Sequence, residues 1–228
     1  MTNSPSDRRS LRELRPVSIS GVWVDLEPLT EDHAAEMVLV GADAAIWTYM
    51  ARGPFVSEQD ARNEVLELHR RGVPFAIRTS DGRFAGCIVY LNVEPTNESV
   101  EIGWVWVGTQ FQGELVAAEA QYRLMAHVFD TFVCGRVWLK TDARNPRSQA
   151  SLERFGLVRE GVLRRHQYVK DGYIRDSAVY SLLGEEWPDF RARVEQFMAA
   201  VAQPAGHGLR SDWRSQVQPH FSERSTSG

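Results

Sequence analysis

Two segments of this chain place polar groups where backbone and side chains could act on a ligand. The first is Val100–Ala120, VEIGWVWVGTQFQGELVAAEA, which reads as an apolar strand, a polar loop and the opening of a helix. A strand-to-helix turn aims unpaired backbone N–H groups and the positive end of a helix dipole at an anion. The second is Thr141–Gly156, TDARNPRSQASLERFG, which repeats the plan: a strand end, an Asn-Pro helix start and a Gly stop. Asn145 falls at the N-cap and Pro146 at the first helical position, which is a sufficient structural reason for both. Glu101 lies on the strand of the first segment, Asn145 and Ser148 at the helix start of the second, and His166 is of the residue type that can titrate near neutrality. Anion binding is the chemistry that the backbone pattern supports by itself.

The elements that must position these groups follow from periodicity and punctuation. Val22–Leu26 reads as a strand. Thr30 caps a helix running to about Val40, with Glu31 and Asp32 in its first turn. Ser57-x-x-Asp60 starts a second helix, whose stripe is Ala61, Val65 and Leu68 and whose stop is Gly72. Phe75–Thr79 and Arg83–Val93 flank Asp81-Gly82 as a hairpin, and Ser99–Val107 is a third strand. Strict alternation puts Val100, Ile102, Trp104 and Trp106 on one face and Glu101, Gly103, Val105 and Val107 on the other. A helix over Val116–Phe132 buries Ala118, Tyr122, Met125, Phe129 and Phe132. Strand Val137–Thr141 and helix Asn145–Phe155 come next. Strands Leu157–Tyr168 and Tyr173–Leu183 are joined at Asp171-Gly172, and a last helix spans Glu185–Ala202. The order β-α-α-β-β-β-α-β-α-β-β-α, with three meandering strands before a crossover helix, predicts an α/β (α+β) domain with a mixed sheet of about seven strands flanked by helices.

Residues 21–202 form that one domain. Residues 1–20 are polar and without periodicity and are expected to be a flexible N-terminal arm. Residues 203–228 make a Pro/Gly/Ser-rich tail in which Trp213, Val217 and Phe221 share a helical spacing. A docking tail, or a homodimer through it, and a disordered tail are both consistent with this pattern.

The 228 residues are 43% hydrophobic and 25% charged, with a net charge of −4, an ordinary globular composition that disfavours a broad nucleic-acid surface. No apolar run approaches a membrane span. Two distant cysteines, Cys87 and Cys134, read as reduced thiols of a cytoplasmic protein, and the histidines have no metal-ligand spacing, so no metal is expected.

The two segments together resemble the acetyl-CoA-binding core of the GCN5-related N-acetyltransferases (GNAT), and most of all their Rim-type branch, the ribosomal-protein N-terminal acetyltransferases and their relatives. The resemblance spans roughly Gly21 to Phe197. It implies a central twisted sheet split between its fourth and fifth strands to admit acetyl-CoA. The family's pyrophosphate loop, Gln/Arg-x-x-Gly-x-Gly/Ala, corresponds to Gln112, Gly113, Glu114, Leu115, Val116 and Ala117. Gln112 and Ala117 match, whereas Leu115 replaces the central glycine and Glu114 adds a negative charge. At 4 Å in water that charge costs only about 1 kcal/mol against a phosphate. By position, main-chain groups of Trp106, Val107 and Gly108 would pair with the pantetheine arm, as would Asn145. Ser148 matches the residue that returns a proton to the departing thiolate.

For the base the resemblance offers two positions. One is on the strand after the Asn-Pro helix, where Glu160-Gly161 match but Gln167 stands in place of a glutamate. The other is Glu101, acting through water. The implied activity is acetyl transfer from acetyl-CoA to a primary amine, a protein N-terminal α-amine or a small molecule, by direct attack on the thioester. Leu115, Glu114 and Gln167 argue for an alternative, a non-catalytic CoA-sensing or protein-interaction member. Another acyl-CoA such as succinyl-CoA is a third reading, which arginines near the thioester would favour. On the acceptor side, Trp47, Tyr49 and Phe55 read as core aromatics and Arg164, Arg165 and Arg175 as solvated surface.

Overall fold

Seven strands form one twisted sheet in a computed structural model that describes residues 8–112 and 115–202. They are β1 (Val24–Pro28), β2 (Gly72–Thr79), β3 (Phe84–Glu94), β4 (Ser99–Val107), β5 (Arg136–Asp142), β6 (Val158–Tyr168) and β7 (Ile174–Leu183). The order is β1-β2-β3-β4-β5-β7-β6, and only β4 and β5 run parallel. The mixed sheet and the crossover are as the pattern of apolar residues predicts. The helices are α1 (Ala34–Val40), α2 (Glu58–Arg71), α3 (Val116–Thr131), α4 (Pro146–Phe155) and α5 (Trp187–Ala202). The helix expected from Thr30 is in fact two pieces, a 3-10 turn at Glu31–His33 followed by α1.

The sheet splits where the site must lie. β4 and β5 pair only over Ser99–Glu101 against Arg136–Trp138, although β4 continues to Val107 and β5 to Asp142. A β-bulge accounts for the divergence. Trp104 has φ 51°, and the pairing of β4 with β3 shifts register between Cys87 and Val89. An extra residue on one strand bends it and raises its local twist. A bulky side chain in left-handed backbone costs about 1–2 kcal/mol, so the surrounding packing must hold it there.

The bulge also corrects the strict alternation expected for β4. Val100, Ile102 and Val107 enter one hydrophobic core, while Trp106 enters the other with Trp104 packed against it. A single inserted residue reverses which face every later side chain takes.

Each core occupies one face of the sheet. α3, α4 and α5 cover one through Tyr122, Met125, Phe129, Leu152, Phe155 and Phe190; of the stripe expected for α3, Tyr122, Met125, Phe129 and Phe132 are buried and Ala118 is half-buried. α1 and α2 cover the other through Met37, Ala61, Val65 and Leu68, and Trp47, Phe55 and Trp106 fill the space beneath them. Trp47 and Phe55 are thus core, as expected. α2 begins at the Ser57 cap, whose hydroxyl accepts from the Asp60 N–H. α4 ends at Gly156, whose φ of 97° is the left-handed conformation that glycine adopts without strain.

The N-terminal arm departs from expectation from residue 8 onward. Arg9 bridges to Phe132, Ser10 caps a short 3-10 turn, and Leu11 and Leu14 are buried in the larger core. Two leucines spaced by three supply enough apolar surface to dock a segment that composition alone marks as polar. The docking tail considered for 203–228 lies outside the described residues.

Candidate active site

A cleft of about 380 Å³ opens between the splayed ends of β4 and β5. Its β4 wall is Glu101 to Val105, so the strand presents Gly103, Trp104 and Val105 to the space rather than Trp106, Val107 and Gly108. Gly108 is committed elsewhere: its N–H donates to the Ala85 carbonyl (2.9 Å) and its carbonyl accepts from the Phe111 N–H (2.9 Å). The bulge explains the offset of a few residues, since it turns the backbone at Trp104 toward the cleft.

Glu101 lies at the root of the split and is only 1% exposed. Its Oε2 accepts from the Asn92 amide at 2.6 Å and from Lys140 Nζ at 3.2 Å. Lys140 reaches it from β5, and Asn92 reaches it because a second irregularity, in β3, gives Asn92 a φ of 44° and turns its side chain back across the pair Leu91–Glu101. A buried carboxylate needs such partners to stay charged. The other oxygen, Oε1, lies next to Gly103: a Cβ built there would sit 3.0 Å from it. Gly103 thus keeps space open beside the carboxylate.

The opposite wall is the start of α4. Asn145 caps it, its Oδ1 accepting the Ser148 N–H at 3.0 Å. The Ser148 hydroxyl is therefore not the cap. It borders the cleft, and among the described residues it has no hydrogen-bond partner. Glu101, Asn145 and Ser148, distant in sequence, are brought into one cleft.

Beside the split, among the described residues, no side chain caps α3, and an α-helix start leaves its first N–H groups to an anion. Leu115 precedes it with φ −74° and ψ −3°, ordinary helical backbone that demands no glycine. Its side chain is buried against Val201, Phe197, Trp23 and Ala118, so the bulk feared at this position points into the interface with α5. Val116 is buried and Ala117 half-buried in the same first turn. Gln112 spans the split: its Nε2 donates to the Val107 carbonyl and its Oε1 accepts from Arg147 Nη1 at 2.8 Å. Gly113 and Glu114 lie outside the described residues.

The remaining wall comes from loops and from the β6–β7 hairpin. Tyr49 borders the cleft, whereas Arg164 and Arg165 are exposed on β6. Asp142 is buried, and Arg144 binds it through Nε (3.0 Å) and Nη2 (2.7 Å) while stacking on Tyr173 at 3.7 Å. Burial would raise the Asp142 carboxyl, but the hydrogen bonds from Arg144 outweigh it and hold the carboxyl below its usual value.

Arg175 corrects the expectation of a solvated arginine. It is 8% exposed, lines the cleft, and gives its Nε to Ser177 Oγ at 3.0 Å. Burial pulls its pKa below the ordinary arginine value. Gln167, its partner across β6 and β7, also borders the cleft. His166 is exposed in part but turns its Nδ1 inward to Ser177 Oγ, and its pKa is lowered by burial and by the charges of Lys140 and Arg175.

Sequence reasoning missed Lys140, Asn92 and Arg147. Lys140 carried a signal, because it alternates with Leu139 and Thr141 along a strand. Asn92 carried none, because its role depends on an irregularity that periodicity does not record.

The chain was compared with known proteins. The family model for the acetyltransferase (GNAT) domain matches residues 24–158, more than half of the chain. YdaF of Bacillus subtilis (strain 168) is 28% identical over 170 residues, 71% of this chain and 90% of that protein. The ribosomal-protein-serine acetyltransferase of Escherichia coli (strain K12) is 28% identical over 158 residues, 66% of this chain and 87% of that one. The crystal structure of a GCN5-related N-acetyltransferase from Brucella melitensis superposes with a TM-score of 0.79 at 26% identity, covering 89% of this chain and 99% of that one.

Proposed function

The chain belongs to the acetyltransferase (GNAT) family, and from that premise we propose that it transfers an acetyl group from acetyl-CoA to a primary amine in the cleft between β4 and β5. Its relatives include a ribosomal-protein-serine acetyltransferase, which makes a protein N-terminal α-amine the favoured acceptor. The observation that carries the reading is the convergence of Glu101, Asn145 and Ser148 on one cleft, with Gln112, just before α3, bridging β4 and α4 beside it.

In this reading the pyrophosphate of acetyl-CoA lies on the first N–H groups of α3, at Leu115, Val116 and Ala117, with Gln112 and the Arg147 it binds at the side. Gly113 and Glu114 belong to the same loop. The pantetheine arm enters the split along β4, past Trp106, Val107 and Gly108, and Asn145 faces it. The thioester then reaches the bulge at Gly103–Val105.

The amine nitrogen attacks the thioester carbonyl carbon and the C–S bond breaks. A proton leaves the nitrogen for Glu101, directly or through one water, and Ser148 gives its hydroxyl proton to the departing sulfur. A thiol pKa of about 8.5 means that this last transfer needs no strong acid. At pH 7, deprotonating an α-amine costs about 1 kcal/mol and a lysine about 4.6 kcal/mol. Glu101, already shared between Lys140 and Asn92, suits the first better than the second. No step in this reading uses a metal. A cytoplasmic setting and a homodimer belong to the same proposal, and light scattering on the purified protein reads the second.

Release of free thiol from acetyl-CoA in the presence of N-terminal peptides tests the reading. The wild type should release thiol in step with peptide acetylation, and Ser148→Ala should lower kcat by about 10-fold or more, general acid assistance being worth about 10²–10⁴-fold where the leaving group needs it. Turnover within twofold of wild type for both Ser148→Ala and Glu101→Gln would refute the roles assigned.

Leu115 supplies a second prediction. Leu115→Gly should lower the unfolding free energy by about 2–4 kcal/mol, because it empties the contact with α5. It should leave acetyl-CoA affinity unchanged or weaker, since the backbone already has a conformation suited to phosphate. Tighter binding by calorimetry would show instead that the leucine obstructs the site.

A further inference from the structure

Arg71 lines the cleft but is exposed and stacks on Trp104. The buried charges of the cleft have partners within the protein, with one exception. Glu101 is paired with Lys140, and Asp142 with Arg144. Arg175 is buried in the same cleft, yet among the described residues no carboxylate lies within ion-pair distance of it and only its Nε makes a hydrogen bond. The acceptor of that bond, Ser177 Oγ, is fully buried and also meets His166 Nδ1 at 3.0 Å. Ser177 accepts from Arg175 Nε, which fixes one edge of the guanidinium, and the imidazole tautomer sets the direction of its bond with His166.

The residue opposite Arg175 on β6 is Gln167, which is neutral. Ser177 pairs with Asp142 across β5 and β7, which sets Arg175 level with the start of α4, where Asn145 and Ser148 border the cleft. Asp142 and Glu101 act on Arg175 only from beyond ion-pair distance, and a buried cation with no anion in contact is costly until one meets it. Two free guanidinium nitrogens form a planar fork that matches the two oxygens of a carboxylate. A doubly charged phosphate fits less well, because Glu101 and Asp142 already place two negative charges in the cleft.

We propose that Arg175 receives a carboxylate carried by one of the two reactants, either on the acyl group of the donor thioester or on the acceptor amine. The inference rests on the acyl-CoA reading above and narrows its substrates to a class: one partner is an acid as well as a thioester or an amine.

The test uses the full chain as wild type, Arg175→Gln and Arg175→Lys. In the donor arm, calorimetry compares succinyl-CoA with acetyl-CoA. In the acceptor arm, thiol release from acetyl-CoA compares two serine-initiated peptide amides that differ only in Asp or Asn at the second position. The wild type should favour the carboxylate probe by about 10- to 100-fold in one arm, as a charge-assisted hydrogen-bonded contact supplies, and that arm identifies the source. Arg175→Gln should abolish the preference and Arg175→Lys should keep part of it. No preference by the wild type in either arm, or an undiminished preference in Arg175→Gln, overturns the inference. The wild-type result decides even if a variant fails to fold. Binding of acetyl-CoA with no carboxylate preference removes this inference alone, whereas no binding of either acyl-CoA removes the acetyltransferase reading with it.

Discussion

Replacing Glu101 by glutamine should lower kcat for peptide acetylation by about 10²–10³-fold, within the usual contribution of a positioned general base. The amide keeps the shape of the side chain and an oxygen for the Asn92 contact, but it cannot take the amine proton. The loss should fall on kcat with little change in acetyl-CoA affinity, because Glu101 lies at the root of the split while the phosphates bind at its outer end. The variant also leaves Lys140 without its carboxylate, so a fall in thermal stability is expected, and activity must be read well below the unfolding midpoint. Activity measured with an acceptor of low pKa should recover part of the loss, since less deprotonation is then needed. A kcat within twofold of wild type would remove Glu101 from the chemistry.

The largest effect on stability is expected at Glu119, which takes no part in the reaction. Its side chain is 1% exposed on the first turn of α3. Oε1 accepts from the Val22 N–H at 2.6 Å, and Oε2 from the Trp23 and Val24 N–H groups at 2.7 and 3.0 Å. Arg123 adds two bonds from its guanidinium, at 3.1 and 2.9 Å. One carboxylate thus holds three successive backbone donors at the entry to β1 and ties that edge of the sheet to α3.

Glu119→Ala strands those donors and a cation, which should cost about 3–5 kcal/mol and lower the melting temperature by roughly 10 °C. Glu119→Gln retains one acceptor oxygen and should fall between the two. Because β1 and α3 flank the start of the pyrophosphate site, the alanine variant should also weaken acetyl-CoA binding as it destabilises the fold. Thermal unfolding followed by circular dichroism measures the order. A melting temperature for Glu119→Ala within about 2 °C of wild type would mean that the backbone donors find other partners.

These two glutamates show what the sequence could and could not convey. The strands, the helices and their caps were legible, because alternation, the Ser57 and Asn145 caps and the Gly72 and Gly156 stops are local signals. The pairing of Glu101 with Ser148 in one cleft was legible only through the family resemblance, since nothing in spacing relates residues 47 positions apart. Irregular backbone was not legible at all. The bulge at Trp104 reverses the faces of β4 and moves the cleft wall from Trp106–Gly108 to Gly103–Val105. The irregularity at Asn92 creates a partner for Glu101. Glu119 carried no local signal, because the donors it serves lie about 95 residues away. The Leu115 departure read as an obstacle only until α5 was seen to receive its side chain.

Calorimetric titration of the purified wild-type protein with acetyl-CoA tests the central claim most directly. One site per chain with micromolar Kd is expected, with enthalpy lost on raising the salt concentration as the phosphates are screened from the α3 terminus. Absence of binding to acetyl-CoA and to free CoA would contradict the account: the cleft would then belong to a protein that keeps the fold of an acetyltransferase without its donor.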